Sequence, residues 1–313
     1  MAEVGYREMR QRYPSSRFDR SRTRLGYILL LPALLFIVLV LVVPILQTIQ
    51  MSSSSLRLNQ PAASQFIGLS NYFRLFEDQR FLSSIVTTLV FISGTTAGVF
   101  VLGLTIALVM NLEFRGRGIV RSALLIPWVM PRIIVAKIWA WMFNGIYGLA
   151  NAALLPLGII SSNISWLNMK PHAMIAVQIA YIWCTTPFAG LLLLAGLQSI
   201  DVELYEAAKI DGASALQRFG AITLPSLRPT IGITLIFTLL GAFKSFDLIF
   251  GMTQGGPMQS TETMMMYAYS VLFGFLRFGY GSSIVVMIVV LTSIISVIFI
   301  RGAKIDLGGG ARI

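Results

Sequence analysis

Six apolar segments constrain the fold of this chain more than any other feature of its sequence. Each approaches or exceeds the roughly 20 residues that a helix needs to cross a hydrocarbon layer about 30 Å thick. They lie near residues 26–50, 83–111, 119–143, 172–197, 229–251 and 280–300. Of the 313 residues 56% are hydrophobic and only 12% are charged, which is more apolar surface than a soluble domain can bury. The sequence therefore predicts an all-α membrane protein with six transmembrane helices.

Basic residues are distributed unevenly among the polar segments. Sixteen of the 24 Lys and Arg residues lie in the N-terminal arm, in the loops after the second and fourth apolar segments, and in the C-terminal tail. The positive-inside rule places these regions, and therefore both termini, in the cytoplasm. The net charge of +11 is then explained by basic residues that flank the spans and face an anionic leaflet. We therefore expect no nucleic-acid partner.

This pattern predicts a single membrane domain. It covers residues 26–300 and lies between a basic cytoplasmic arm (1–25) and a cytoplasmic tail (301–313). The first apolar segment is too long for the core of a cleaved signal peptide, so we expect it to be retained as a span. Membrane lipids are therefore expected to surround the domain.

Residues that carry chemistry in enzymes are sparse. Cys184 is the only cysteine, which excludes an intramolecular disulfide and a cysteine cage for a metal. His172 is the only histidine and has no second ligand nearby, so we expect it in a loop or at an interface. No G-x-x-x-x-G-K-[ST] phosphate loop occurs, so any ATP must be hydrolysed by another chain. We predict that the chain is not an enzyme and binds no metal or cofactor of its own.

The polar loop 198–228 contains ELYEAAKIDGASALQRFGAITLPSLRP, residues 203–229. Acidic residues at positions 201 and 203 favour the start of a helix, and Gly212 favours its end. Ser214-x-x-Gln217 has the form of a capping box for a second helix, which Pro225 is expected to end. The pattern predicts a helix–turn–helix hairpin at the cytoplasmic surface. By itself it leaves open whether the hairpin docks on a protein or lies on lipid headgroups.

The same loop resembles the EAA loop of binding-protein-dependent ABC importers. The resemblance rests on Glu206-Ala207-Ala208, Asp211-Gly212-Ala213 and Ile222-x-Leu224-Pro225. It implies a type I importer permease fold, in which this loop forms a coupling helix that fits a cleft on a separate ATP-binding subunit. ATP and Mg would then be bound by that subunit. The residues implied in coupling to the ATPase are Glu206, which would meet basic or donor groups, Ala207 and Ala208, which permit close contact, Asp211, and Gly212, which makes the turn.

Two further stretches resemble the carbohydrate branch of this family, the maltose-type permeases. They are FKSFDLIFGMTQGGP, residues 243–257, and the segment Trp139 to Asn151. The first stretch is similar to the first of the two permeases that such importers pair. The resemblance implies a heterodimer with a second, different permease, two ATP-binding subunits and a periplasmic or lipid-anchored sugar-binding protein, all at the bacterial cytoplasmic (inner) membrane.

The sequence Gly255-Gly256-Pro257 predicts a tight turn just outside the membrane. The resemblance implies that this turn lies where the sugar-binding protein docks. A turn with no function beyond its geometry is the alternative.

The family's sugar site lies in the spans before and after the EAA loop. Family spacing, counted from Glu206, implies the following pathway residues: Tyr181, Cys184, Thr185 and Phe188 on the fourth span, and Thr238, Gly241, Ala242 and Ser245 on the fifth. Aromatic faces suit the C–H surface of a sugar, and hydroxyl groups exchange hydrogen bonds with its OH groups. Helix packing is the alternative role for each residue.

Among the charged residues within the spans, four need an explanation, because an unpaired charge is costly there. Lys244 and Asp247 lie three residues apart, and we expect them to form an ion pair. Arg132 and Lys137 differ from the usual apolar pattern of the family. They either snorkel or pair, or they line an aqueous cavity. The sharper hypothesis is that Arg132 contacts an anionic group on the substrate.

The function implied is that of a permease subunit in an ATP-driven importer, which moves a sugar into the cytoplasm by alternating access. A polyol or a phosphorylated glycerol is the alternative substrate class. An ion-coupled secondary transporter is a weaker alternative, because Asp247 is the only acid near a span interior and no internal repeat is evident. An intramembrane enzyme has the least support.

Overall fold

The computed structural model describes the backbone of residues 17–302 and the side-chain surroundings of residues 24–301. Most of the predicted arm (1–25) and tail (301–313) therefore lies outside the described residues. Apart from one antiparallel bridge between Ser54 and Phe66, the regular structure of residues 17–302 is helical. The helices are α1 (Arg17–Ile37), α2 (Val43–Ser52), α3 (Ser70–Glu77), α4 (Gln79–Asn111), α5 (Arg117–Val129), α6 (Arg132–Met142), α7 (Leu149–Leu154), α8 (His172–Gln198), α9 (Val202–Ile210), α10 (Ala215–Arg218), α11 (Leu224–Phe243), α12 (Asp247–Met252), α13 (Met264–Tyr269) and α14 (Phe278–Gly302).

Five of the six predicted spans are single long apolar helices. They are Arg24–Ser52, Gln79–Asn111, His172–Gln198, Ala215–Phe243 and Phe278–Arg301. The third predicted span consists of α5 and α6, which meet at an angle of 93°. Pro131 lies at this break, where a proline removes a backbone donor and disfavours helical geometry in the residue before it.

The fifth span differs from its prediction at both ends. Pro225 does not end the second helix of the hairpin, because α10 continues through a π-helical turn at Phe219–Thr223 into α11. In this turn the Leu224 N–H donates to the Phe219 carbonyl, five residues back, immediately before the proline, which has no N–H to donate. At the other end α11 stops at Phe243 rather than at residue 251, and α12 begins separately at Asp247, an acidic residue that favours a helix start.

The break after Phe243 also overturns the predicted ion pair of Lys244 and Asp247. Over residues 24–301, the only acid–base pair with a nitrogen–oxygen distance within 4.0 Å joins Arg80 and Glu262. The spacing of three residues aligns two side chains only when one helix carries both. Here Lys244 follows α11, and Asp247 opens α12.

The centre of the protein is the contact between α4 and α8. Three glycines of α4 allow it: a Cβ at Gly94 or Gly98 would collide with Gln178 or Ile182, and a Cβ at Gly103 would lie 3.2 Å from Ala189 Cβ. Such small residues let two helix backbones approach closely. By contrast, the apolar side chains of α1 are exposed along the helix, so this span presents its surface to lipid or to another subunit.

Candidate functional site

The predicted hairpin is present and is built by local capping. Asp201 Oδ1 accepts from the Glu203 N–H at 3.3 Å and opens α9. At the other end Gly212 has a φ of +79°, and the Ala213 N–H donates to the Ala208 carbonyl at 2.9 Å. This is a Schellman-type ending, which strongly favours glycine at the turn. The Ser214–Gln217 capping box then opens α10 through reciprocal hydrogen bonds of 2.7 and 3.3 Å.

The hairpin presents both charge and apolar surface to its surroundings. Glu206, Ala207, Asp211 and Gly212 are exposed, and Ala208 is half-buried. Ile210 and Leu216, on either side of the turn, are 87% and 81% exposed. Water solvates large apolar side chains poorly, and their clustering at a charged turn favours a protein partner.

Two contacts tie the hairpin to the fifth span. The Tyr205 hydroxyl lies 2.9 Å from Thr223 Oγ1 and joins α9 to the π-helical turn below α11. Arg218 Nη1 donates to the Ala213 carbonyl at 2.6 Å. Between the hairpin and the end of α4 lies a groove of about 650 Å³, lined in part by Leu108, Leu112, Tyr205, Lys209 and Phe219.

The structure brings most of the predicted pathway residues together around Tyr181. This side chain is fully buried, and its hydroxyl donates to the Thr238 carbonyl at 3.4 Å. A Cβ at Gly241 would lie 2.9 Å from the same hydroxyl oxygen, so only glycine fits there without displacing Tyr181. The Arg132 guanidinium carbon lies 5.3 Å from the centre of the Tyr181 ring.

Cys184 and Thr185 lie on the same buried face of α8. Cys184 Sγ donates to the Tyr181 carbonyl at 3.3 Å and lies 3.8 Å from Thr185 Oγ1. Ala242 and Ser245 are also buried, further along the chain from Gly241. Ser245 is 6% exposed, and its Oγ has no hydrogen-bond partner among the described residues.

Phe188 belongs to an adjacent aromatic cluster that the sequence analysis missed. Its ring stacks on Trp128 at 5.1 Å and 9°, and meets Phe237 edge-on at 6.3 Å. Trp128 and Phe237 are both exposed. Because the three residues come from α5, α8 and α11, no local pattern in the sequence indicates the cluster.

The predicted turn at Gly255-Gly256-Pro257 is also confirmed. Gly255 has a φ of +87° and is buried, and Thr261 Oγ1 donates to the Gly256 carbonyl at 2.7 Å. The exposed tip follows immediately, at Met258 (87% exposed) and Gln259. A partner would therefore meet the tip beside the glycines rather than the glycines themselves.

Asn151, the last residue of the second resembling stretch, has a structural role. Its Nδ2 donates to the carbonyls of Gly145 and Ile164, while its Oδ1 accepts from the Ile164 N–H and from Trp166 Nε1. This buried amide pins the outward loop 144–171. His172 begins α8 at this loop and meets Trp166 edge-on at 5.6 Å, as expected for an interface residue.

A second polar cluster holds the outward ends of α4, α13 and α14 together. Asp78 accepts hydrogen bonds from the hydroxyls of Tyr267 and Tyr280 and from the backbone N–H groups of Arg80 and Phe81. Burial alone would raise the pKa of Asp78, but these hydrogen bonds outweigh it, and the pKa lies below the ordinary value of 3.8. Arg80 in turn forms the ion pair with Glu262. Partners nearly 200 residues apart leave no signal in a single sequence.

Comparison with known proteins identifies the family. Residues 99–304 match the family described as binding-protein-dependent transport system inner membrane component. The chain is 38% identical over 277 residues to the sulfoquinovosyl glycerol transport system permease protein of Agrobacterium fabrum, covering 88% of this chain and 89% of that protein. It is 37% identical over 287 residues to the trehalose/maltose transport system permease protein of Thermococcus litoralis, covering 92% and 96%.

A solved structure supports the same fold. The structure of a bacterial alginate ABC transporter in complex with an alginate pentasaccharide-bound periplasmic protein contains a chain with a TM-score of 0.80 and 22% identity, covering 95% of this chain and all of that chain. This likeness confirms the predicted importer-permease fold. The family and its relatives confirm the prediction of a multi-pass permease subunit rather than an enzyme. The chain belongs to the family of binding-protein-dependent transport system inner membrane components.

Proposed function

We propose that this chain is the permease subunit of an ATP-driven importer that moves a sugar or sugar derivative into the cytoplasm by alternating access. Relatives at 37–38% identity over about nine-tenths of the chain are named as permeases for trehalose/maltose and for sulfoquinovosyl glycerol. The chain pairs with a second, different permease in the bacterial inner membrane. Two ATP-binding subunits supply ATP and Mg, and an external sugar-binding protein delivers the substrate.

The observation that carries this proposal is the connection between the hairpin and the fifth span. Residues Ala215–Phe243 form one continuous helical rod, and Tyr205 joins α9 to that rod at Thr223. The same rod holds Thr238 and Gly241 against Tyr181 on α8. A displacement of the hairpin is therefore transmitted to the pathway residues without an intervening flexible loop.

Each hairpin residue has a physical role in this coupling. The exposed Glu206 carboxylate meets basic or donor groups on the ATP-binding subunit, and Ala207 and Ala208 allow the partner to approach the helix backbone. Gly212 fixes the direction of the turn. When ATP closes the ATP-binding subunits, the hairpin moves with them, and the cavity changes from cytoplasm-facing to outward-facing.

The pathway residues suit a sugar. The partly exposed Phe188 ring offers an aromatic face to a sugar. The Tyr181 ring and the hydroxyl groups of Thr185, Thr238 and Ser245 are buried in this structure, and we expect the movement of the helices to expose them to the substrate. On the outer side, the tip that follows Gly255, Gly256 and Pro257 is the surface we assign to docking of the binding protein.

The proposal is tested by ATP-dependent sugar uptake into proteoliposomes that contain the complete transporter and its binding protein. Gly212→Val places a β-branched residue at a φ of +79°, where non-glycine residues are strained by about 1–3 kcal/mol. We expect uptake and the stimulation of ATP hydrolysis by the binding protein both to be lost. The matched control is Gly220→Ala, in the same region, where a Cβ meets nothing within 4 Å.

Two outcomes would count against this function. Uptake that survives Gly212→Val unchanged would show that the hairpin does not transmit force. A wild-type assembly that hydrolyses ATP but transports no sugar would refute the substrate class.

A further inference from the structure

Arg132 is a cation placed inside a membrane-spanning segment. It is the first residue of α6, directly after the break at Met130 and Pro131 where the third span bends by 93°. A charge in the apolar layer is costly unless a partner or water compensates it. The position of Arg132 therefore requires a compensating group.

Snorkelling does not account for this side chain. The guanidinium carbon lies 5.3 Å from the centre of the Tyr181 ring, and Tyr181 is fully buried. Tyr181 lies nine residues beyond the start of α8, about 14 Å along a helix that rises 1.5 Å per residue. A snorkelling side chain places its charged end at the membrane surface. The charge of Arg132 is instead held well inside the span.

No carboxylate compensates this guanidinium within residues 24–301, where Arg80 and Glu262 form the only acid–base pair within 4.0 Å. The contact that the structure gives the guanidinium is the Tyr181 ring, whose centre lies 5.3 Å from the guanidinium carbon. A guanidinium carries five N–H donors, more than one tyrosine can satisfy, so donors remain for another acceptor.

The start of α6 adds donors at the same place. In the described chain the N–H groups of Arg132 and Ile133 have no backbone acceptor, because the break removes the preceding helical turn. The dipole of this 11-residue helix is positive at the same end. In membrane transporters, interrupted helices use such ends to bind the anionic groups of substrates.

We propose that the transported sugar carries an anionic group, a carboxylate or a sulfonate, and that Arg132 determines this specificity. The inference rests on the proposed function, because it names the substrate class of the same pathway. The N–H donors of the guanidinium and the first N–H groups of α6 bind the anion, while the contact with the Tyr181 ring holds the guanidinium in place. A neutral sugar leaves the cation uncompensated and is transported less efficiently.

The first test needs no variant. The binding protein is screened with matched pairs of mono- and disaccharides. Each pair compares a uronic acid or a 6-sulfo sugar with its neutral 6-hydroxyl counterpart. The wild-type transporter is then assayed for uptake of every sugar that binds. We expect an acidic member of a pair to be preferred. If only the neutral members are bound and transported, the role of Arg132 is refuted while the proposed function stands. If no sugar is transported, both fail.

The second test compares uptake of the preferred acidic sugar in Arg132→Gln, Arg132→Lys and Lys137→Gln. Lys137 is an exposed cation on the same helix, about 140° around its axis from Arg132, and is the matched control for loss of charge. The binding protein is identical in every arm, so its own selectivity cancels. We expect kcat/KM to fall about tenfold or more in Arg132→Gln and less than about twofold in Lys137→Gln. Arg132→Lys retains part of the activity.

A purely structural role predicts different results. It would lower uptake of the neutral counterpart as much as uptake of the acidic sugar, and Arg132→Lys would not rescue it. Either that result or equal losses in Arg132→Gln and Lys137→Gln overturns the inference. If Arg132→Gln does not assemble with its partners, the preference of the wild-type transporter within each matched pair decides the question.

Discussion

The ion pair between Arg80 and Glu262 is predicted to stabilise the outward end of the protein, and loss of the arginine should cost more stability than loss of the carboxylate. Arg80 Nε and Nη2 each donate to a carboxylate oxygen of Glu262 at 2.7 Å. The Glu262 side chain is 5% exposed and that of Arg80 is 32% exposed. Removing the arginine therefore strands a buried carboxylate, whereas removing the carboxylate leaves a cation that reaches solvent.

The two substitutions should differ in magnitude. Breaking a fully buried pair costs about 3–5 kcal/mol, and because water reaches Arg80 we expect about 2–4 kcal/mol for Arg80→Met. In Glu262→Gln the guanidinium still lies over the rings of Tyr267 at 5.2 Å and Phe275 at 5.7 Å. The loss is then near the lower end of that for one hydrogen bond to a charged group, about 1.5 kcal/mol.

The assay is thermal unfolding of the purified transporter in nanodiscs. At roughly 2–4 °C per kcal/mol, Arg80→Met should lower the Tm by about 4–16 °C and Glu262→Gln by about 3–6 °C. Arg57→Met, at an exposed arginine of the same outward region, is the control and should shift the Tm by less than about 2 °C. The double variant should be more stable than Arg80→Met alone, because a neutral amide replaces the stranded carboxylate. Equal losses in the two single variants, or additive losses in the double variant, would refute the reasoning.

Two further predictions concern the outward face. Asn151→Ala removes four hydrogen bonds and leaves groups such as the Trp166 Nε1–H without their partner; we expect a loss of about 2–4 kcal/mol in unfolding free energy and faster proteolysis in the loop 144–171. The pKa of Asp78 is lowered in the folded protein, so its stabilising effect is complete above pH 3.8 and is lost as the pH falls below that value. Unfolding measured against pH should show this loss in the wild type and not in Asp78→Asn.

The hairpin could be predicted from the sequence because its signals are local. Gly212, Ser214 and Gln217 each act on backbone groups within a few residues, so their effect does not depend on the rest of the fold. The span count could be predicted for a related reason, since it depends only on the length of the apolar runs. The 93° bend beside Pro131 could not be predicted in this way, because its angle depends on packing.

The errors arose where tertiary contacts outweigh local preferences. Pro225 is a local stop signal, yet Leu227 two residues later is fully buried in a cluster with Leu193, Leu194 and Leu197 of α8. Burial of the Leu227 side chain favours a helix through Pro225. The helix passes through a π-helical turn just before this proline, which has no N–H to donate. The pair of Lys244 and Asp247 failed for the converse reason, because a single uninterrupted helix was assumed.

The two helix breaks lie beside the residues that we assign to the pathway. One separates α5 from α6 at Arg132, and the other separates α11 from α12 at Ser245. Irregular backbone at membrane depth is tolerated only where protein buries it or where it lines a water-filled cavity. The segments beyond the breaks pack on each other, since a Cβ at Gly251 of α12 would collide with Ala136 of α6. Both breaks thus belong to one packed unit beside Tyr181. A movement of the hairpin that is transmitted through α11 would shift the α11–α12 side of this unit against the α5–α6 side.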